Sequence, residues 1–312
     1  KMGIHGSPTC VMNFDGATGF LVGERCRGLQ GMFIMMNELR LGCAIHGLSQ
    51  SELAYQNALQ YAKDRIQSKS AVNLSGPSVP IITHPDIRRM LMDVRSINEA
   101  ARLLVLEAAT LVDKGGEEAE DRLGLMTPVL KGVITDYGVE NAIKMQQVWG
   151  GHGYVRDNGM EQIVRDARIA MIYEGANGIQ ALDLVGRKLP KNMGRAVMRF
   201  FKDTESFLTS SYEHDINHIV QPMTQAVSEL KQATEWLAAN GMKNPNDAGG
   251  ASYDYMKMFG LVLLGLAHVR ICLATDDKDR HNTAEYFMRS EEHTSELQSH
   301  LNLVCRLLLE KK

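Results

Sequence analysis

Apolar residues recur every three to four positions over most of this 312-residue chain, which is the pattern of amphipathic helices. Between residues 31 and 190 the pattern breaks at a Ser/Pro/Gly-rich loop around 68–80 and at an acidic run over 117–123. Pro85 opens the second predicted helix, where a first-turn proline is favoured, and Pro190 closes the fourth. Four long helices are predicted, at about 32–66, 85–115, 128–149 and 159–189, and they form an antiparallel bundle.

Residues 191–288 continue the helical pattern, with helices predicted at 194–211, 217–240 and 253–275 and a loop over 244–250. The first thirty residues differ. Cys10, Met12 and Phe14 alternate along a predicted strand, Asp15-Gly16 marks a turn, and an apolar run follows at 20–22. The predicted fold class is therefore mainly α: a helical bundle preceded by a short β remnant and followed by a further helical extension.

Composition mainly excludes classes of protein. A chain that is 44% hydrophobic and 23% charged, with a formal net charge of -3, gives no reason to expect nucleic acid or an anionic membrane as partner. No apolar stretch approaches the length of a membrane span, and five irregularly spaced cysteines do not suggest a disulfide framework or a metal site. We therefore expect a cytoplasmic protein. The 18 methionines suit a groove for flexible apolar ligands or act as core filler.

The tail from residue 289 onward reads differently. RSEEHTSELQSH at 289–300 and LVCRLLLEKK at 303–312 correspond, in one reading frame, to two parts of a common sequencing-library adapter. An amphipathic helix over 301–309 is the alternative. We predict that 289–312 is an artefactual tail. The chain also opens inside a predicted strand and without an initiator Met, so we expect it to be a fragment of a longer bacterial protein.

Three motifs carry candidate chemistry, and the first is Ile172-Tyr173-Glu174-Gly175. If Glu174 is buried, desolvation makes its carboxylate a stronger base, as abstraction of a proton from a weak carbon acid requires. Gly175 removes a side chain beside it, so a ligand can approach the backbone. Taken alone, the motif also fits a surface glutamate beside a helix irregularity.

The other two motifs point to phosphate or ring binding. QVWGGHGY at 147–154 places three glycines after a helix, which allows close backbone approach to a ligand but also fits an ordinary helix C-cap. Arg65 ends the first predicted helix, where it can fork onto a pyrophosphate or complement the helix dipole. Arg40 precedes it by about seven helical turns and so lies on roughly the same face.

The order of these motifs resembles one enzyme family. GGHGY, RDARIAMIYEG and NGIQALDLVGRKL, in that order, are similar to the end of an acyl-CoA dehydrogenase. Residues 191–288 resemble the extra helical extension of a bacterial subgroup that includes 3-methylmercaptopropionyl-CoA dehydrogenases. The resemblance implies that 1–30 is the end of the middle β-domain, 31–190 the C-terminal four-helix bundle domain and 191–288 an additional helical domain.

The resemblance also implies roles for individual residues. Glu174 matches the catalytic base, Tyr173 and Gly175 flank the thioester, and Arg40 lies beside the CoA site. Thr and Gln, which better-known members carry shortly after the base, are replaced here by Ala176 and Gly178, so those flavin contacts are not expected. The residues that match contacts to the ADP part of FAD, made across a dimer interface, are Arg65, Gln147, Gly150 and Gly151.

The implied activity is FAD-dependent α,β-dehydrogenation of an acyl-CoA, either 3-methylmercaptopropionyl-CoA or a fatty acyl-CoA. Glu174 would take the α-proton while the β-hydrogen leaves as hydride to the flavin. An electron-transfer flavoprotein is the expected electron acceptor, and a homodimer or homotetramer is the expected assembly. The alternatives are an acyl-CoA oxidase, a non-catalytic helical module, or a DNA-associated flavoprotein of the same fold, which would need a basic face that the mixed charges of 191–288 do not offer.

Overall fold

Helices dominate residues 1–290, the part of the chain that the computed structural model describes. The bundle is built on three long helices, and a two-stranded antiparallel sheet joins the first to the second. These elements are α1 (Gly28–Asp64), β1 (Ile66–Lys69), β2 (Ser78–Pro80), α2 (Pro85–Lys114) and α3 (Gly116–Val148). The bundle ends in three short helices, α4 (Gly151–Tyr154), α5 (Met160–Ala167) and α6 (Asn177–Asp183). The extension contributes α7 (Arg195–Ser211), α8 (Asn217–Asn240), α9 (Pro245–Ala274) and α10 (Lys278–Arg289).

The predicted fold class is confirmed, but two predicted loops are helical, and the fourth predicted long helix, 159–189, is broken into α5 and α6 by the segment that contains Glu174. The acidic run 117–123 belongs to the start of α3, where Glu117 and Glu118 lie in the first turn and stabilise the positive end of the helix dipole. The predicted loop 244–250 is the start of α9. Asn244 caps this helix by accepting a hydrogen bond from the Asn246 amide at 3.2 Å, and Pro245 follows at the first helical position.

The hairpin predicted within residues 1–30 is wrong, since no strand forms in the described chain before β1. A strand requires a neighbour that accepts and donates along its backbone, and this segment has none within residues 1–290. Its apolar side chains are exposed instead, Val11 and Val22 at 94% or more. Two contacts with α5 fix the start of the segment: the Ile4 amide donates to Asp166 Oδ1 at 2.7 Å, and Arg165 Nη1 donates to Met2 O at 2.7 Å. That 1–30 ends a β-domain stays a prediction.

The bundle and the extension share one hydrophobic core. Helices α1 and α3 cross with their backbones in contact, because a Cβ on Gly47 would lie 2.7 Å from Ile134 O and one on Gly138 only 2.8 Å from Gly47 O. In the extension, α9 packs against α3, and Tyr255 and Phe259 are fully buried there. By length and composition α9 would pass as a membrane span, but 78% of its most apolar window is buried inside the protein, as in a core helix.

Candidate active site

The segment between α5 and α6 carries the predicted base on a tight turn. Both Glu174 (φ +57°) and Gly175 (φ +87°) adopt left-handed backbone conformations, which an amino acid with a side chain rarely occupies. We call this segment, residues 172–176, the Glu174 turn. The buried side chain of Gln180 holds it: Gln180 Nε2 donates to Glu174 O at 3.3 Å and to Gly175 O at 3.0 Å. A Cβ on Gly175 would lie 2.6 Å from that nitrogen, so the position requires glycine.

The Glu174 carboxylate is only partly buried, so the complete burial considered for the sequence is not observed. It interacts electrostatically with Tyr173, Cys43 and Lys131. Burial raises the pKa of Tyr173 to about 12, with further contributions from the Cys43 thiol and the Glu174 carboxylate. Tyr173 therefore stays a neutral hydroxyl at physiological pH, and His46 Nδ1 lies 3.0 Å from its oxygen.

Arg40 lies beneath the Glu174 turn. Its guanidinium is buried and forms an ion pair with Asp183 of α6, with Arg40 Nη1 3.0 Å from Asp183 Oδ2. The same carboxylate also pairs with Arg187, whose Nε lies 2.6 Å from Oδ1. Arg40 Nη2 would be 3.9 Å from a Cβ on Gly175. Arg40 is therefore an inner support of the turn, and its predicted contact with the substrate stays a prediction.

Asn177, the first residue of α6, anchors the end of the Glu174 turn in α3. Its Nδ2 lies 3.0 Å from Gly132 O, 2.9 Å from Thr135 Oγ1 and 2.7 Å from Asp136 Oδ1, and its two hydrogens are shared among these acceptors. Its Oδ1 accepts from Lys131 Nζ at 2.7 Å. Every polar atom of the amide is thus occupied, which fixes its rotamer.

Lys131 is a cation with no exposed surface, facing the underside of the same turn. Burial lowers its pKa to about 8, although the Cys43 thiol, Asp136 and Glu174 act in the opposite direction. A buried ammonium needs compensating partners, and here they come from α3, α1 and the Glu174 turn. The candidate base thus rests on a buried polar layer.

The predicted cofactor residues lie elsewhere, around the glycine turn (residues 149–153) that follows α3. Gly150 has φ +56°, and a Cβ on it would contact nothing within 4 Å, so this backbone is open to the outside. The Tyr61 ring of α1 stacks on Trp149 at 4.2 Å, and its hydroxyl lies 2.7 Å from His152 Nδ1. Gly153 is needed for the tight turn, because a Cβ added at this position would lie 2.7 Å from the carbonyl oxygen of residue 146.

The predicted site residues thus form two groups, which contact helix α1 at two different places. Arg65 follows α1, its amide donating to Tyr61 O at 2.8 Å, so it stands at the same end of the bundle as the glycine turn. Gln147 and Gly151 are exposed there as well. The Glu174 turn instead contacts α1 around His46, on the order of 20 Å away along the helix at 1.5 Å per residue.

Comparison with protein-family models decides the family. Residues 27–189, more than half of the chain, match the acyl-CoA dehydrogenase C-terminal domain, and residues 200–296 match a model described as acetyl-CoA dehydrogenase C-terminal like. The chain belongs to the acyl-CoA dehydrogenase family. The predicted family resemblance is therefore confirmed.

Named relatives agree with this assignment. The chain is 38% identical over 275 residues to 3-methylmercaptopropionyl-CoA dehydrogenase of Ruegeria pomeroyi, covering 85% of this chain and 47% of that protein. It is 34% identical over 226 residues to a butyryl-CoA dehydrogenase of Syntrophomonas wolfei, covering 67% of this chain and 37% of that protein. The chain spans about half the length, or less, of these relatives.

Solved structures show the shared fold. Caenorhabditis elegans ACDH-11, in a crystal structure with C11-CoA, superposes with a TM-score of 0.73 at 20% identity, covering 87% of this chain and 46% of that one. An acyl-CoA dehydrogenase of Bacillus anthracis complexed with FAD gives a TM-score of 0.67 at 17% identity, covering 93% of this chain and 51% of that one. At these identities the likeness concerns the fold alone.

Sequence reasoning named the Glu174 turn but missed the residues that hold it. Asn177, Gln180 and Asp183 are all at most 4% exposed, and each bonds a different part of the support described above. Their spacing of three residues places them on one face of α6. A polar stripe at helical spacing directly after the candidate base was the available signal.

Proposed function

We propose that the protein containing this chain dehydrogenates acyl-CoA thioesters between the α and β carbons, with Glu174 as the base that removes the α-proton. The observation that carries the proposal is the Glu174 turn: a carboxylate on a left-handed backbone, partly exposed, and supported from below by buried polar groups. Strained, over-determined backbone of this kind clusters at active sites. Membership of the family and the names of relatives above 30% identity support the same reaction.

The turn also offers a donor for the charge that develops on the thioester oxygen. The Glu174 amide makes no backbone hydrogen bond among residues 1–290, whereas the preceding amide, that of Tyr173, donates to Ile169 O at 3.0 Å. A free amide beside the base can donate to the thioester oxygen and so acidify the α-carbon. Gly175 leaves the space next to it without a side chain, which lets the thioester approach. Base and donor then come from one residue, fixed by one turn.

The glycine turn and its neighbours fit the ADP part of FAD. Gly150 exposes open backbone, Arg65 is an exposed cation at the same end, and Trp149 Nε1 is buried without a hydrogen-bond partner within the described chain. FAD, when bound, would accept the β-hydrogen as hydride. We assign the two turns to the flavins of two different subunits, in a homodimer or homotetramer, because the family resemblance implies that the ADP contacts cross a dimer interface.

The substrate and acceptor follow from the relatives as proposals. The relative from Ruegeria pomeroyi favours 3-methylmercaptopropionyl-CoA, and the butyryl-CoA dehydrogenase from Syntrophomonas wolfei favours a short fatty acyl-CoA. An electron-transfer flavoprotein would take the electrons. An acyl-CoA oxidase would use the same base but release peroxide, so peroxide formation compared with reduction of an electron-accepting dye distinguishes the two activities.

Replacing the base tests the proposal. Glu174→Gln keeps the size of the side chain but cannot accept a proton at neutral pH, so we expect turnover by the complete flavin-loaded protein to fall at least about a hundredfold. Binding of FAD and acyl-CoA should persist. Glu38→Gln, at an exposed glutamate of α1, is the matched control and should leave turnover unchanged. Normal turnover in Glu174→Gln would assign the base to another residue.

A further inference from the structure

A series of hydrogen bonds runs from the C-terminal extension to the Glu174 turn. In α9, Tyr253 donates its hydroxyl hydrogen to Asp136 Oδ2 of α3. The other carboxylate oxygen, Oδ1, accepts from Asn177 Nδ2 at 2.7 Å. Asp136 is 2% exposed and Asn177 is 4% exposed, so the bond between them is shielded from solvent, whereas Tyr253 is half-buried. Asn177 stands two positions after Gly175, directly at the exit of the turn.

Asp136 is the only link in this series that carries a charge. Burial raises its pKa, while the hydrogen bonds from Tyr253 and Asn177 and the cations Lys257 and Lys131 favour the ionised form. A buried carboxylate that loses one donor is left with an unsatisfied lone pair, which favours a shift of the side chain. A shift of Asp136 changes the partner of Asn177 and therefore the end of the Glu174 turn.

The left-handed conformation of Glu174 makes the turn sensitive to such a shift. A residue with a side chain holds this conformation only where its surroundings over-determine it. Gln180 supplies the bonds within the turn, and Asn177 supplies the attachment of its exit to α3. If the attachment loosens, the carboxylate of Glu174 moves relative to the carbon it must deprotonate.

We propose that Tyr253, Asp136 and Asn177 are positioning residues for Glu174, so that the C-terminal extension acts in catalysis through α9. The proposal rests on the proposed function only in taking Glu174 as the base. Residue 253 lies in a region that contributes no residue to the Glu174 turn itself. The hydrogen bonds that connect it to the turn run through Asp136 and Asn177, while α9 also packs against α6. The extension would thereby be a functional part of the site as well as a cover for the core.

The same helix offers a matched control. Tyr255, two positions further along α9, is completely buried, and its hydroxyl lies 2.7 Å from Thr234 Oγ1 of α8. Each tyrosine makes a hydrogen bond to another side chain, half-buried at Tyr253 and fully buried at Tyr255, but of the two only the bond of Tyr253 leads through Asp136 to the Glu174 turn. Tyr253→Phe and Tyr255→Phe each remove one hydroxyl, so a general loss of stability affects both variants.

The first experiment compares steady-state kinetics of the complete flavin-loaded protein. We expect Tyr253→Phe to lower kcat about tenfold with KM within about twofold, because small misplacements of a reacting group cost between ten- and a hundredfold. Tyr255→Phe should keep kcat within about twofold of wild type although it loses a fully buried hydrogen bond. Equal kcat in the two variants would overturn the proposal, whether both fall or neither does.

The second experiment does not depend on catalysis. Amide hydrogen exchange, followed by mass spectrometry on a peptide covering residues 171–180, reports opening of the Glu174 turn in the complete flavin-loaded protein without substrate. We expect Tyr253→Phe to speed exchange in this peptide about tenfold and Tyr255→Phe to leave it unchanged. Unchanged exchange in Tyr253→Phe would overturn the proposal. If Tyr253→Phe does not fold, Asp136→Asn tests the same link by weakening the acceptor.

Together with Glu174→Gln, the experiments separate the two claims. Loss of turnover in Glu174→Gln with normal kcat in Tyr253→Phe refutes the positioning role and leaves the proposed function standing. Faster exchange in Tyr253→Phe with normal turnover in Glu174→Gln refutes Glu174 as the base. In that case the structural link between α9 and the turn still stands.

Discussion

The Glu174 turn and the glycine turn share a backbone feature, a glycine with positive φ, but different kinds of side-chain contact hold them in place. Each follows a helix of the bundle, contains a glycine with positive φ and contacts α1. The Glu174 turn is held from the inside by buried polar side chains, among them Gln180 and Asn177. The glycine turn is held by a stacked pair of rings, Tyr61 on Trp149, and its backbone faces outward.

This difference indicates a division of labour. A buried polar network is costly when one member is lost, so it fixes the position of what it supports within narrow limits. A stacked aromatic pair contributes about 1 kcal/mol and leaves nearby backbone amides available to a ligand. Substitutions at the Glu174 turn should therefore change turnover, and substitutions at the glycine turn should change affinity for the cofactor.

The largest effect is expected for Gly175→Ala. The backbone at φ +87° disfavours alanine, and the added methyl group would lie 2.6 Å from Gln180 Nε2. We expect kcat to fall about a hundredfold through displacement of the base, with FAD content unchanged. Gly178→Ala is the control, because its φ is not positive and its Cβ would meet no atom within 4 Å. Equal kinetics in the two variants would remove the special role of the turn.

An affinity effect is expected for Gly150→Ala. Its φ of +56° disfavours alanine, yet a Cβ there meets nothing within 4 Å, so the substitution distorts the turn without a clash. We expect the Kd for FAD to rise about tenfold, which corresponds to about 1.4 kcal/mol, while kcat at saturating FAD stays within about twofold. Gly124→Ala within α3 is the control. A fall in kcat at full FAD occupancy would contradict the division between the two turns.

A pH effect on stability is expected from Lys131 beneath the Glu174 turn. Burial lowers its pKa to about 8, so between pH 8 and its unfolded value of 10.5 the unfolded chain holds a proton that the folded chain has lost. Stability rises with pH wherever the unfolded state binds more protons, here by about 1 kcal/mol between pH 7 and pH 9. Urea unfolding at both pH values should show this rise in wild type.

Lys131→Met provides the comparison, since every other titrating group is retained. The difference in unfolding free energy between wild type and variant should become more favourable to wild type by about 1 kcal/mol from pH 7 to pH 9. A difference that does not change with pH would mean that Lys131 titrates as an ordinary surface lysine. Lys257→Met removes a lysine of α9 that lies over the Tyr253 ring. It tests whether loss of a lysine from another helix changes the unfolding free energy with pH in the same way.

No effect on either turn is expected from removing residues 291–312. The predicted artefactual tail lies outside the described residues apart from Arg289 and Ser290, and α10 already buries Phe287 and Met288 in the shared core. The melting temperature of the truncated protein should match that of the full chain within error. A loss of several degrees would contradict the artefact interpretation, since about 1 kcal/mol already shifts the melting temperature of a protein this size by a few degrees.

Local signals in the sequence predicted much of the fold. Pro85 marks the start of α2, and a glycine with positive φ, Gly115, caps its end. Two failures have local causes. Residues 117–123 and 244–250 look like loops by composition but begin helices, because Glu117 and Glu118 stabilise the positive end of the α3 dipole and Asn244 caps α9. Strands within 1–30 need a partner sheet, and the described chain contains none for them.

The sequence predicts the motifs of the candidate site, but it does not predict the buried polar side chains that hold the Glu174 turn. Glu174 and Gly150 belong to motifs that can be read from the sequence, because their chemistry depends on residue type and order. The pairing of Tyr253 with Asp136 joins positions 117 residues apart, and no periodicity connects them. Lys131 and Asp136 look like solvent-facing charges on α3 until α6 and α9 cover them.

Exchange of the substrate α-proton with solvent tests the central claim most directly. An acyl-CoA without a hydrogen on its β-carbon cannot be dehydrogenated, but a base at the site can still remove and return its α-proton. In deuterium oxide, mass spectrometry of the recovered thioester measures that step alone in the complete flavin-loaded protein. With Glu174 as the base, wild type incorporates deuterium and Glu174→Gln does so at least about a hundredfold more slowly while still binding the thioester. Incorporation at the wild-type rate in Glu174→Gln would contradict the account.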